Sequence, residues 1–333
     1  MTILTASSIT TPATSGSYNF SVVRDDIINL AMKVIGKLGE AEVPTPEELN
    51  DCAKLLNMMV KQWMGKQDFA NGLKMWTRTR GDLFLSSTKY QYSLGPTGDN
   101  WTNSYIQSTV SASASAGATS LTVASSTGMA INDTLVIQSA TGDTQTVTIS
   151  NIASNVLTIS ALSANVNANA YVWDYTTKAQ RPIQIVTAIL RDINNSDTPL
   201  NFMTVEEYEA LPTKTQSGNQ SLPSGIYYET SLPNGTLYID CGGLQDVTYH
   251  MHIVYLRPVQ DLVNPGDALD YPQQWYLALV YGLAKLIAPM FNAPWTKEME
   301  DNFLSALASA READPDRSAM YFAPNSDGGG WYQ

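Results

Sequence analysis

The chain has 333 residues, 44% of them apolar, enough to fill one large domain or two ordinary ones, which excludes a chain disordered throughout. Nineteen Lys plus Arg stand against 31 Asp plus Glu, a net charge of −12, so no basic stripe is present to displace counterions from a nucleic-acid backbone. Two cysteines, Cys52 and Cys241, exclude a disulfide framework. The strongest apolar stretch, Trp275 to Ala288, is broken by Lys285 and is too short for a membrane span.

Residues 1–20 are rich in Ser, Thr and Ala without a period and read as an extended arm. They lack the basic and apolar regions of a secretory signal, so export by that route is not expected. From Val22 to Leu38, Ile27, Ala31, Val34 and Leu38 recur at helical spacing and Gly39 offers a terminator. Thr45, Pro46 and Glu48 then form a capping box with proline at the first helical position, opening a second helix to about Lys66. Its stripe of Leu49, Cys52, Ala53, Leu56, Met59, Val60 and Trp63 is expected to pack on the first helix.

Residues 75–85 and 89–94 alternate, carry aromatics and end at the turn Gly95-Pro96-Thr97-Gly98. The composition then shifts. Between residues 106 and 170 there is no aromatic side chain, and the charged residues are Asp133 and Asp143 alone. Short β-branched runs recur at 121–123, 135–137, 145–149 and 156–159, with 171–173 just beyond. Turn pairs at Asn132-Asp133, Gly142-Asp143 and Ser154-Asn155 separate them. This is a small all-β unit, a sandwich or barrel, and not a linker. Strands are expected again at 183–191, 226–230, 236–240 and 247–256, with a short capped helix at Thr204 to Ala210. Two helices finish the chain: 272–288, apolar nearly all round, and 296–313, with Met299, Phe303, Ala306, Leu307 and Ala310 on one face.

Catalytic signatures are absent. His250 and His252, the two histidines, share one face of a strand whose other face is Tyr249, Met251, Ile253 and Tyr255, and no further ligands lie nearby in sequence, so they read as structural or solvent-facing. The acid pairs Asp25-Asp26, Glu47-Glu48 and Glu206-Glu207 sit in first helical turns, where they complement the dipole. Arg78 and Arg80 alternate on one strand face, as a fork for an interface or as solvated side chains. No catalytic residue, metal or cofactor is expected.

The order of elements, from the stretch VVRDDIINLAMKVIGKLGEAEVPTPEELNDCAKLLNMMVKQW through KYQYSLGPTGD, RPIQIVTAILRD, TVEEYEAL, IYYE and GTLYID to YPQQWYLALVYGLAKLIAP, resembles the head-to-tail adaptor family of short-tailed bacteriophages, also called tail accessory factors or packaged-DNA stabilisation proteins. The resemblance covers about residues 21–100 and 181–312. It implies a non-enzymatic virion protein at the head–tail junction, made in the host cytoplasm. Its members form a dodecameric ring beneath the portal, extend the DNA channel without binding DNA specifically, and dock the tail nozzle or fibre proteins. The expected fold is α+β, a four-helix adaptor core with antiparallel β elements, plus an inserted small all-β module. The expected divisions are an arm (1–20), the first part of the core (21–107), the inserted module (108–170), the second part of the core (171–313) and a tail (314–333). The resemblance assigns portal contact to the tail, ending in Trp331, Tyr332 and Gln333.

The acidity suits a conduit whose wall repels DNA, and polar arms that order only on the portal would prevent premature assembly. The inserted module lies where a surface loop lengthens at little entropic cost, so a chain joining about Asp99 to Lys178 is expected to fold. The alternative is a tail-associated cell-wall hydrolase built on some pair of carboxylates. A third reading, carbohydrate binding by residues 108–170, ranks last because that segment has no aromatic ring for a sugar to stack on.

Overall fold

A computed structural model describes residues 17, 20–65, 75–215 and 219–313. Its elements begin with α1 (Arg24–Val34), α2 (Pro46–Gly65), β1 (Arg78–Phe84), β2 (Gln91–Leu94), β3 (Trp101–Thr102), β4 (Ile106–Thr109), β5 (Ser120–Thr122), β6 (Thr134–Gln138), β7 (Thr144–Ala153), β8 (Val156–Ile159) and β9 (Tyr171–Tyr175). They continue with β10 (Gln184–Arg191), β11 (Asp197–Pro199), β12 (Asn201–Phe202), α3 (Val205–Glu209), β13 (Gly225–Glu229), β14 (Gly235–Ile239), β15 (His250–Leu256), α4 (Tyr276–Ile287) and α5 (Lys297–Glu312). Among the described residues no helix is long and apolar enough to cross a membrane.

The chain divides into two compact units, Met1–Leu73 with Val259–Gln333, and Lys74–Pro258. The expected four-helix adaptor core with accompanying β elements is overturned. Fifteen strands in three sheets dominate the described residues, and the four sizeable helices form a unit of their own instead of a core for the β structure. Long helical periodicity is conspicuous in a sequence, whereas strands of a few residues each carry little pattern, so the β content is easily underweighted.

In the helical unit, α4 is central, burying Ala278, Leu279, Val280, Leu283, Ala284 and Ile287. Gly282 admits the Trp63 ring, whose nearest carbon would lie 2.8 Å from an added Cβ. The capping box of α2 forms as its residues require: Glu48 accepts from the Thr45 N–H at 2.9 Å and Thr45 Oγ1 from the Glu48 N–H at 3.3 Å. Helix α1 stops earlier than its apolar spacing indicates. Gly36 takes φ +72°, and the N–H groups of Lys37 and Gly36 close back on Met32 and Lys33 in a Schellman turn.

In the β unit, the five-stranded sheet runs β11-β10-β15-β1-β3 and the four-stranded sheet β12-β13-β14-β2. One continuous core containing Leu83, Tyr92, Leu94, Ile226, Leu237, Met251 and Tyr255 joins them. The six-stranded sheet runs β4-β9-β6-β7-β8-β5. Its outer strands then meet, through the Val110–Val123 bridge and the bonds from Ser111 N–H to Thr122 O and from Ala124 N–H to Thr109 O, so the sheet closes into a barrel. Its interior is aliphatic, with Leu135, Ile137, Val147, Ile149, Leu157 and Val172 inside. The turns use left-handed residues at Asn132 (φ 74°), Gly142 (φ 78°) and Ser154 (φ 55°), where turn pairs stand in the sequence.

Candidate functional site

Trp331, Tyr332 and Gln333 lie outside the described residues, as do residues 1–16, 18 and 19 of the expected arm. The acid pairs serve as helix starts: the Val23 N–H donates to Asp26 at 3.2 Å, and the Thr204 N–H donates to Glu207 at 2.7 Å. Both cysteines are buried free thiols, and burial pushes the Cys52 thiol up to about 11.

The polar side chains that the fold does gather sit between the five-stranded sheet and the barrel. Alternation along β15 puts His250 and His252 on one face and Met251, Ile253 and Tyr255, all fully buried, on the other. Register places Asp82 of β1 opposite His252 and Phe84 opposite His250. His252 Nδ1 donates to Asp82 Oδ1 at 2.7 Å, and His250 Nε2 lies 3.4 Å from the same oxygen and 3.2 Å from the Tyr105 hydroxyl. Burial first, then the Asp82 charge, raises the Tyr105 phenol. Arg191, opposite His250 on β10, is held in a bidentate pair with Asp197 at 2.7 and 2.9 Å.

Around this cluster, Phe84 packs with Val136, Trp173 and Tyr175 on the outer surface of the barrel and with Tyr105 at its entry. The Phe84 ring is T-shaped to Tyr105 at 5.3 Å. The tip of the β6–β7 hairpin adds a polar clasp. Asp143 accepts from Ser86 Oγ at 2.8 Å, the Ser87 N–H at 2.9 Å and Thr88 Oγ1 at 3.3 Å, while Thr144 Oγ1 donates to Leu85 O at 3.2 Å. Burial alone would raise the Asp143 carboxyl, but these donors and the Thr144 N–H hold it below its ordinary value.

Asp133, the other charged residue of the segment, is buried beside Asp174 of β9. It accepts from the Ala130 N–H at 2.7 Å. Burial, then the neighbouring Asp133 carboxyl, pushes Asp174 up to about 7, since a low-dielectric site and a like charge close by both disfavour a carboxylate. Both Asp133 and Asp174 are 1% exposed.

Chemically, Asp82 orients an imidazole as in a hydrolase, but among the described residues neither histidine is hydrogen-bonded to a Ser, Thr or Cys, and His250 is 1% exposed. No group of three or more His, Cys, Asp and Glu side chains among the described residues is arranged to hold a metal ion. The arrangement ties strands to one another and the barrel to the sheet. Sequence reasoning places the two histidines on one face. It misses Asp82 and Tyr105, which are distant in sequence and carry no motif.

On the outer face of the four-stranded sheet a concave cleft of about 410 Å³ is lined by Thr88, Lys89, Tyr90, Gln91, Ser93, Asp99 and Thr236.

No family model matches the chain, and no curated protein matches it. Part of the chain is similar to a solved phage tail protein, the gp54 tailspike of Acinetobacter baumannii bacteriophage AP22 in complex with A. baumannii capsular saccharide. Identity is 17% with a TM-score of 0.19, and the match covers 22% of this chain and 15% of that one, well under two thirds of the tailspike's length. At that TM-score the likeness is too partial to carry an argument about fold or function.

Proposed function

We propose that the chain is a non-enzymatic structural protein of a short-tailed phage virion, acting as a ring-forming adaptor between portal and tail. The resemblance in the order of elements supports this reading. The observation that carries the assembly reading is in the helical unit, where Leu30, Met58, Leu277, Leu286, Met290 and Leu304 are 42–65% exposed. A unit that leaves this many large apolar side chains in water gains by covering them in an oligomer or on a partner. The titratable groups that the β unit draws together favour structure over catalysis, since His250, Asp133 and Asp174 are sealed from any polymeric substrate. The acidic chain suits a channel wall that must not hold DNA.

The test is reconstitution. Purified full-length chain is mixed with portal-bearing, tail-less heads, and the particles are imaged. A ring of added density beneath the portal supports the reading. Heads that recover no added density, or peptidoglycan cleavage by the purified chain above a boiled control, overturn it.

A further inference from the structure

We infer that the outer face of the four-stranded sheet is a binding site for a neutral oligosaccharide, a site distinct from the barrel. Two cross-strand rows build it. Register sets Tyr227 of β13 opposite Tyr238 of β14 and Tyr238 opposite Gln91 of β2; the next row is Glu229, Thr236 and Ser93. Because side chains alternate, all six stand on one face, while Ile226, Leu237 and Tyr92 fill the core beneath. The rings of Tyr227 and Tyr238 lie 5.6 Å apart and only 19° from parallel, and both remain partly exposed.

The short helix α3 fixes this shelf from one side. Its Tyr208 is 2% exposed, stacked on Tyr227 at 5.7 Å and tilted against Tyr238 at 5.2 Å. Lys214 covers Tyr208 at 4.8 Å. On the other side lies the 410 Å³ cleft, in which Gln91, Ser93 and Thr236 of the two rows meet Thr88, Tyr90 and the ion pair of Lys89 with Asp99. Asp99 is anchored by the Ser93 N–H at 2.7 Å, so the rim is preorganised.

Flat, partly apolar rings beside a concave row of hydroxyl, amide, ammonium and carboxylate groups match a pyranose, which presents an apolar C–H face and a belt of hydroxyls that both donate and accept. The volume suits one or two sugar rings of a longer chain. Charge decides against the other ligands that stack on tyrosine. Glu229 and Glu209 lie close enough to act on both the Tyr227 and Tyr238 phenols, and Glu206 on that of Tyr227; ionisation of each is disfavoured first by burial and then by Glu229. A nucleic acid or other polyanion is repelled from such a face, and so is a second copy of an acidic chain bringing the same face.

The test uses full-length protein titrated with chitohexaose, maltohexaose and cellohexaose, each to about 5 mM, followed by calorimetry and by NMR saturation transfer. At least one hexasaccharide is expected to bind. Tyr227→Ala and Tyr238→Ala should each weaken it about tenfold, whereas Tyr238→Phe, which keeps the ring, should stay within about twofold. Thermal melting of each variant separates lost binding from lost folding, and Gln91→Ala, an exposed change that leaves the rings in place, should weaken binding about threefold without altering the melt. The proposal is overturned if none of the three sugars binds, if binding survives Tyr238→Ala in a folded protein, or if the shelf is instead buried by self-association or taken by a proline-rich decapeptide.

Discussion

The indole of Trp173, on the outside of the barrel, stacks on the Phe84 ring of the five-stranded sheet with 5.3 Å between centroids and 28° between planes. Phe84 is thus the residue on which the barrel rests, with Tyr175 also stacked on it at 6.5 Å and 13°. Phe84→Ala removes a ring that is 3% exposed. It is expected to cost about 3–5 kcal/mol in urea unfolding and to speed hydrogen exchange in β9 more than in β14.

Trp101 has the corresponding role within the sheet. It is fully buried, its Nε1 donates to Gln180 O at 3.1 Å, and it lies over Gly81, where an added Cβ would meet the ring at 2.3 Å. Gly81→Ala should therefore cost about 1–3 kcal/mol by overpacking and shift the tryptophan fluorescence. The same packing revises the expected excision. Joining Asp99 to Lys178 deletes Trp101 and Thr102 with the barrel, so that shortened chain should lose its cooperative melt, while an excision from Tyr105 to Tyr175 that keeps them should retain one.

The acid pair gives the barrel a pH response. Asp174, at about 7 in the folded chain and near 3.8 when free of its surroundings, binds a proton on folding between those values. Stability should rise as pH falls from about 8 toward 5, because the folded state is then the better proton binder. Asp174→Asn should flatten that slope and raise the melting temperature at pH 8. Asp143 has the opposite sign. Its lowered carboxyl contributes stability above its ordinary range and loses it only in stronger acid, so Asp143→Asn should leave the slope between pH 5 and 8 intact while weakening the clasp on Ser86 and Ser87 by about 1–3 kcal/mol.

Deleting residues 314–333 should leave the melting temperature almost unchanged and abolish sedimentation with portal-bearing heads. Retained sedimentation would refute the role given to Trp331, Tyr332 and Gln333.

Local signals were the legible part of this chain. Thr45-Pro46-Glu48 and Thr204 with Glu207 start helices where their side chains can cap them, and Asn132, Gly142 and Ser154 turn where left-handed residues are tolerated. The apolar period overextends α1 because Leu38 keeps it and is buried after the turn at Gly36, so its spacing mimics one more helical turn. The two-residue strands β3 and β12 are too short to show alternation. Asp82 meets His252 only because two strands 170 residues apart are paired, a relationship that no local pattern encodes. The tyrosine shelf was half visible: the alternation in IYYE and TLYI is plain, but that Tyr227 faces Tyr238 depends on register.

Strands β4 and β9 are antiparallel neighbours, with Ile106 opposite Asp174, so the chain enters and leaves the barrel at a single doorway. The rest of the β unit meets that domain through Phe84, the bonds of Asn100 to Thr146 and Tyr175, the Tyr105–His250 contact, the Asp143 clasp and the doorway itself. Such a seat is a socket for exchange: another compact domain whose ends lie about one strand spacing apart, and which presents an aromatic to Phe84, can be carried there while the host strands keep their pairing.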